Sequence, residues 1–364
     1  MVDNKLVRQS SFELLRMICM LFIVTGHIIC HAIWPYSASY VTAPMSEHFA
    51  LSFIYGFISC GVNCFVLISG WFGIRLKWKS SINLYLQLAF YSFVLYLLYL
   101  TVFDGGQINR WCLLNTIMPI SNNQEWWFIV SYVQLLLLSP LLNKAFDNMD
   151  KKDMLLVLLS LTVLNLYFGF YRKMEINKNG FNFFHFVFIY SIGRYLKSFC
   201  NFRMAKNSLR WICLSVYVVF SALMGYFVFL DVNDLYVSSS SILFGYYNNP
   251  IVLISSISFF ILFTTFDFRS RIVNWMASSV LAVYLIHEYP KLKENLYVYL
   301  ASVYDGIPNA SFRLLSVFIM AVAILLSGIL IDKIRILVTD PITNKAVGMI
   351  ESIQDRKKKN DNIG

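Results

Sequence analysis

The chain is predicted to be an all-α, polytopic membrane helix bundle of about ten transmembrane helices with both termini cytoplasmic. Three observations lead there. Of 364 residues, 58% are apolar and only 14% charged, where a soluble domain carries about 25%. Thirty-two Phe and twenty-two Tyr strengthen the same trend. The basic residues behind the net charge of +10 sit in short loops between apolar runs, a pattern of membrane topology rather than of nucleic-acid binding, so no nucleic-acid partner is expected.

Ten apolar stretches can each approach the roughly 20 residues that cross ~30 Å of hydrocarbon. They are residues 12–34, 49–72, 81–103, 126–143, 154–171, 181–198, 209–230, 250–267, 273–289 and 313–334. The first, FELLRMICMLFIVTGHIICHAIW, carries Glu13, Arg16, His27 and His31. The second carries Gly61, Ser69, Gly70 and then Gly73, which permit close helix approach or local unwinding, and leads into Arg75. The fourth is entered through Glu125-Trp126-Trp127, with tryptophans at the expected depth of an interfacial belt. The ninth is short and turns polar at His287-Glu288. Loops are expected over 104–125, 231–249 and 290–312 on the outer face. No internal repeat is visible, which weakens a transporter of the inverted-repeat kind.

Loop charge sets the orientation. With the N-terminus inside, 22 of the 30 Lys and Arg fall on the cytoplasmic face and seven on the other, while Arg16 lies within the first span. The first apolar run is too long for a cleaved signal peptide and is expected to stay as an anchor. Residues 1–340 read as one integral-membrane domain and 341–364 as a short cytoplasmic tail, frayed and solvated, whose Arg356 to Lys359 can touch anionic membrane lipids. The seven cysteines show no CxxC and no metal-type Cys/His spacing, so they are expected as packing residues and no metal set is expected.

The ionisable residues of the first span need a reason, because each costs roughly 2.5–3.5 kcal/mol at membrane depth. Arg16 and His27 are eleven residues apart, which returns to within about 20° of one direction and spans ~16 Å along a helix. Histidine suits general-base work near neutral pH, and the fork of arginine suits phosphate or carboxylate. Each has a plainer reading: a neutral histidine bonded to a neighbouring helix, and an arginine snorkelling to the interface. Trp127 beside Glu125 can stack on a sugar ring or simply belong to the belt. His287 and Glu288 can orient an acceptor hydroxyl or face water, and His31 reads as a helix-end residue.

Taken in order, these pieces resemble the acyltransferase-3 family of integral-membrane acyltransferases over nearly the whole chain. The Arg, ten residues, His pattern is matched by Arg16 and His27. Phe65 to Trp71, with Ser69-Gly70 and then Arg75, is similar to the second-span pattern. Trp127-Phe128-Ile129 through Ser139-Pro140 is similar to the middle-span entry, and Tyr284 to His287 to the late Tyr-Leu-Ile-His pattern.

The resemblance implies transfer of an acyl group, most often acetyl, from cytoplasmic acyl-CoA to a hydroxyl of a cell-surface or lipid-linked glycan. His27 takes the catalytic role, and Arg16, Ser69 and Arg75 hold the CoA end. Glu125, Trp127, His287 and Glu288 are expected at the acceptor. Acyl-CoA is a co-substrate, and no cofactor is expected to be bound permanently. A multi-pass protein of a bacterial plasma membrane is implied, with polysaccharide-assembly proteins as expected partners. Some family members carry a C-terminal hydrolase-like domain; none is expected here. The competing class is a transporter or flippase for a lipid-linked sugar or small solute, which would need no acyl-CoA and form no acylated product.

Overall fold

The computed structural model describes residues 9–103, 110, 114, 116, 118–119, 126–202, 206–233 and 246–361. Within them the chain is helical, with no strand. The elements are α1 (Ser10–His27), α2 (Met45–Ile58), α3 (Gly61–Phe72), α4 (Trp78–Val102), α5 (Trp127–Asp147), α6 (Lys151–Thr162) and α7 (Phe183–Phe199). Then come α8 (Lys206–Val232), α9 (Pro250–Thr264), α10 (Arg271–Ala277), α11 (Val280–His287), α12 (Pro290–Asp305) and α13 (Ala310–Asp361). Seven helical stretches among the described residues are long and apolar enough to cross a membrane: Ser10–Tyr36, Met45–Phe72, Trp78–Val102, Trp127–Asp147, Lys151–Tyr171, Asn207–Val232 and Ala310–Pro341.

The other three expected spans differ from their sequence reading. The sixth is α7, 17 residues long, and the eighth is α9, 15 residues. The ninth is two helices rather than one, because the chain breaks at Ser278-Ser279. The break is stabilised from α13: Lys333 Nζ donates to the Trp275 carbonyl at 2.6 Å and to Ser278 Oγ at 2.8 Å. A cation at a helix C-terminus satisfies carbonyls that the helix itself leaves open.

A further expectation is corrected. Residues 290–305 are helix α12 and not loop. Pro290 occupies its first turn, where its missing N–H costs nothing, and Tyr297, Leu300, Ala301 and Tyr304 form a buried stripe at helical spacing. From residue 341 to Asp361 the chain continues as helix, with α13 running through Pro341.

Helix α1 is the seam of the bundle. Its first half, with Phe12, Leu15 and Cys19, joins an apolar core built with α3, α5, α7 and α9. Its second half, with Met20 and Val24, joins a core built with α4, α11, α12 and α13. Helices α3 and α7 cross closely: a Cβ on Gly70 would lie 2.3 Å from the Tyr190 carbonyl oxygen, and one on Gly193 2.6 Å from that of Leu67. The small residues of the second span are therefore required by packing here. Gly73 then ends α3 at φ +70°, a conformation that favours glycine. The turn that follows is pinned by Asn143 Nδ2 donating to the Ile74 carbonyl at 2.6 Å and by the Ile74 N–H donating to Tyr190 Oη at 3.1 Å. That turn carries Arg75. All six described cysteines are free thiols; Cys112 lies outside the described residues.

Candidate active site

Local sequence explains why α1 changes character at His27. Residues Ile28–Ile33 form a π-helical segment, with the Trp34 N–H reaching the Ile29 carbonyl. Pro35 stands one turn later. It has no N–H to donate to the His31 carbonyl, and its ring would clash with that carbonyl in a regular helix, so the turn widens. The widened segment places the His27 and His31 rings 5.2 Å apart.

A cavity of about 480 Å³ runs along α1. Arg16, Ser69 and Arg75 line it on the side where α3 ends, and His27 lines it farther along the helix. The ~16 Å axial separation of Arg16 and His27 follows from an unbroken α1. Trp127, Phe128, Tyr132, Tyr247 and Tyr284 supply an aromatic wall, within which the Trp127 and Tyr247 rings stack at 5.7 Å and 24°. Arg16 Nη1 pairs with Glu13 Oε1 at 2.9 Å, and Arg16 is about a third exposed, at 35%. Only the arginine end of this pair is open, since Glu13 is buried at 7% exposure. Ser69 Oγ donates to the Phe65 carbonyl at 3.0 Å and also meets the Tyr132 hydroxyl across the cavity wall. On the opposite wall, Pro140 removes the donor that the Leu136 carbonyl would otherwise receive, and Ser139 Oγ donates to that carbonyl instead at 2.7 Å. The Ser139-Pro140 pair thus keeps α5 intact where Leu136 meets the cavity.

Behind His27 stands a polar cluster contributed by α11 and α12. His27 Nδ1 lies 3.0 Å from His287 Nε2 and 3.2 Å from Glu288 Oε1. His287 Nδ1 lies 2.6 Å from the Val283 carbonyl oxygen. A carbonyl only accepts, so His287 Nδ1 carries the proton and His287 Nε2 accepts. It follows that His27 Nδ1 carries a proton, shared between His287 Nε2 and Glu288, and His27 Nε2 is left with its lone pair. Tyr297 donates to Glu288 Oε1, and Lys293 Nζ lies 3.7 Å from Oε2. His287 and Glu288 are buried, at 1% and 6% exposure.

The fold therefore gathers Arg16, Ser69, Arg75, His27 and Trp127 around one cavity, and sets His287 and Glu288 against the far nitrogen of His27 instead of on an open acceptor groove. Glu125 lies outside the described residues. Sequence reasoning missed Tyr297 and Lys293, because 290–312 was read as a loop. The signal was present in Pro290 and the apolar spacing that follows it. It also missed that His27, His31 and Glu288 present ligand atoms all within 4.8 Å of one another, since 260 residues separate the two segments.

No curated protein and no solved structure matched the chain. Residues 9–332 match the family described as an acyltransferase domain, a stretch that contains α1 with its cavity, the polar cluster behind His27 and the bundle around them. The chain belongs to the acyltransferase-3 family and is a membrane acyltransferase.

Proposed function

We propose that this acyltransferase moves an acyl group, most often acetyl, from cytoplasmic acyl-CoA to a hydroxyl of a cell-surface or lipid-linked glycan. The reading is carried by one observation: a single cavity with cations at one place and, ~16 Å along α1, a histidine whose tautomer leaves Nε2 basic. Phosphates of the donor pair with Arg16 and Arg75, with Ser69 as a further contact. The pantetheine arm follows the stripe of α1 and brings the thioester to His27.

The acceptor hydroxyl gives its proton to His27 Nε2 as its oxygen attacks the thioester carbonyl. The C–S bond then breaks, and the CoA thiolate takes the proton from the imidazolium. Glu288, beside Nδ1, stabilises the imidazolium while it exists and is itself held by Tyr297 and Lys293. General-base action of this kind contributes typically ~10²–10⁴-fold. On this reading His287 and Glu288 position the base, and Trp127 with its aromatic neighbours offers stacking area for the acceptor. The charge bias of the loops supports an orientation with Arg16 and Arg75 toward the cytoplasm, where acyl-CoA is, in a bacterial plasma membrane. Polysaccharide-assembly proteins would then be neighbours.

The test is the dependence on donor. Membranes holding the protein are given acetyl-CoA labelled in the acetyl group, and the surface glycan is isolated. Ester-linked label that appears only with the protein supports the reading. Passage of a lipid-linked sugar without acyl-CoA, and with no ester formed, would replace it by the transporter or flippase.

A further inference from the structure

The fold holds five histidines, and they divide by what their ring nitrogens face. His48 has Nδ1 2.5 Å from Asn233 Oδ1 and Nε2 2.9 Å from the Tyr40 carbonyl oxygen. His185 has both nitrogens 3.0 Å from amide oxygens, those of Asn165 and Asn63. His287 is held between the Val283 carbonyl and His27. Among the described residues, this leaves His27 and His31 as the histidines with a ring nitrogen that no hydrogen bond takes up. These two stand four residues apart at the π-helical segment, with rings 5.2 Å apart, and both face Glu288.

We propose that His27, His31 and Glu288 form a site for a divalent transition metal of the zinc class, and that occupancy of this site shuts the enzyme off. Two imidazoles and one carboxylate are a donor set of the kind zinc takes with a fourth, open position. It suits zinc over magnesium, which prefers oxygen ligands and keeps its water. The ligand atoms already lie within 4.8 Å of one another. In a tetrahedral site with ~2.0–2.2 Å bonds they would be about 3.3–3.6 Å apart. His27 Nδ1 lies 3.2 Å from Glu288 Oε1, so the ion enters in place of the proton on Nδ1, breaks its hydrogen bonds to His287 and Glu288, and leaves the ring proton on Nε2. The remaining adjustment falls on His31, whose ring packs between those of His27 and Tyr297 at 5.2 and 5.3 Å.

Neighbouring charge sets limits on the site. Lys293 Nζ lies 3.7 Å from Glu288 Oε2, so the ion is directed to Oε1, the oxygen beside His27. Tyr297 donates to the same oxygen and shares it. A metal bound to His27 fixes that ring and competes for the groups that orient its base. The inhibition half of the proposal rests on His27 being the base; the binding half does not.

The experiment is a calorimetric titration of the purified, detergent-solubilised protein with zinc chloride, and with magnesium chloride as control. It is repeated on His31→Ala and on His31→Phe, which keeps an aromatic ring but offers no ligand atom. One zinc per chain is expected for the parent protein, and none for magnesium. Both His31 variants should lose at least about tenfold in zinc affinity, a loss that even an outer partner of a metal ligand carries. In parallel, acyl transfer by the parent should fall with added zinc and return with chelator, while both His31 variants keep their basal transfer and resist zinc. Zinc binding that is absent in the parent, or undiminished in both variants, overturns the site. Binding as expected with transfer indifferent to zinc overturns the inhibition. Binding as expected in a protein that transfers no acyl group under any condition leaves the site standing and overturns the catalytic reading instead.

Discussion

At the scale of single residues, the account turns on which nitrogen of His27 is basic, and that is set by a neighbour 260 positions away. Because the Val283 carbonyl fixes the His287 tautomer, His287 and Glu288 both receive the proton on His27 Nδ1. Glu288→Gln should therefore lower kcat about 10–10²-fold, less than the ~10²–10⁴ that loss of a general base costs. It should leave the KM for acyl-CoA unchanged. A raised KM with unchanged kcat would place Glu288 in donor binding instead. Arg16→Lys should do the reverse, raising the KM for acyl-CoA, because an ammonium cannot reproduce the planar two-point contact with phosphate. Arg16 and His27 were legible in the sequence because helical periodicity places them on one stripe without any tertiary knowledge. The partnership of His27 with Glu288 was not, since it depends on how α11 docks on α1, and no local spacing encodes that.

At the scale of elements, the bundle relies on small residues and on prolines whose lost hydrogen bonds are replaced. Gly70→Leu should place atoms where the Tyr190 carbonyl now lies, costing about 1–3 kcal/mol or more by overpacking. A lowered thermal unfolding midpoint in detergent is the readout. A second element-scale device is the buried ion pair that ties α2 to α13. Arg313 Nε and Nη2 donate to the two Glu47 oxygens at 2.8 and 2.5 Å, and Tyr304 of α12 donates to the same carboxylate. Removing one partner leaves a buried charge unpaired, so Arg313→Met should destabilise by about 3–5 kcal/mol, measured as the same midpoint. The double variant with Glu47→Leu should recover much of that loss. The order of apolar stretches was readable from hydropathy. The break at Ser278-Ser279 was not, because Lys333, which stabilises it, lies 55 residues farther on. Helix α12 was missed for a different reason. Its Lys and Glu content lowers hydropathy, although its buried stripe keeps helical spacing.

At the scale of the whole molecule, α1 divides two apolar cores and lines the cavity that joins a cationic end to His27. The proposed orientation predicts opposite labelling of two exposed sites. A cysteine in place of Lys79 should react with impermeant thiol reagent only from the cytoplasmic side, and one in place of Tyr299 only from the outer side. Labelling of both from one side would undo the placement of the donor cavity. The central claim is that His27 is the base at the end of a donor path, and it is tested most directly by label transfer from acetyl-CoA in matched membranes. The account predicts that His27→Ala abolishes ester-linked label on glycan at unchanged protein level and unchanged thermal midpoint. Full transfer by a properly folded His27→Ala protein would contradict it.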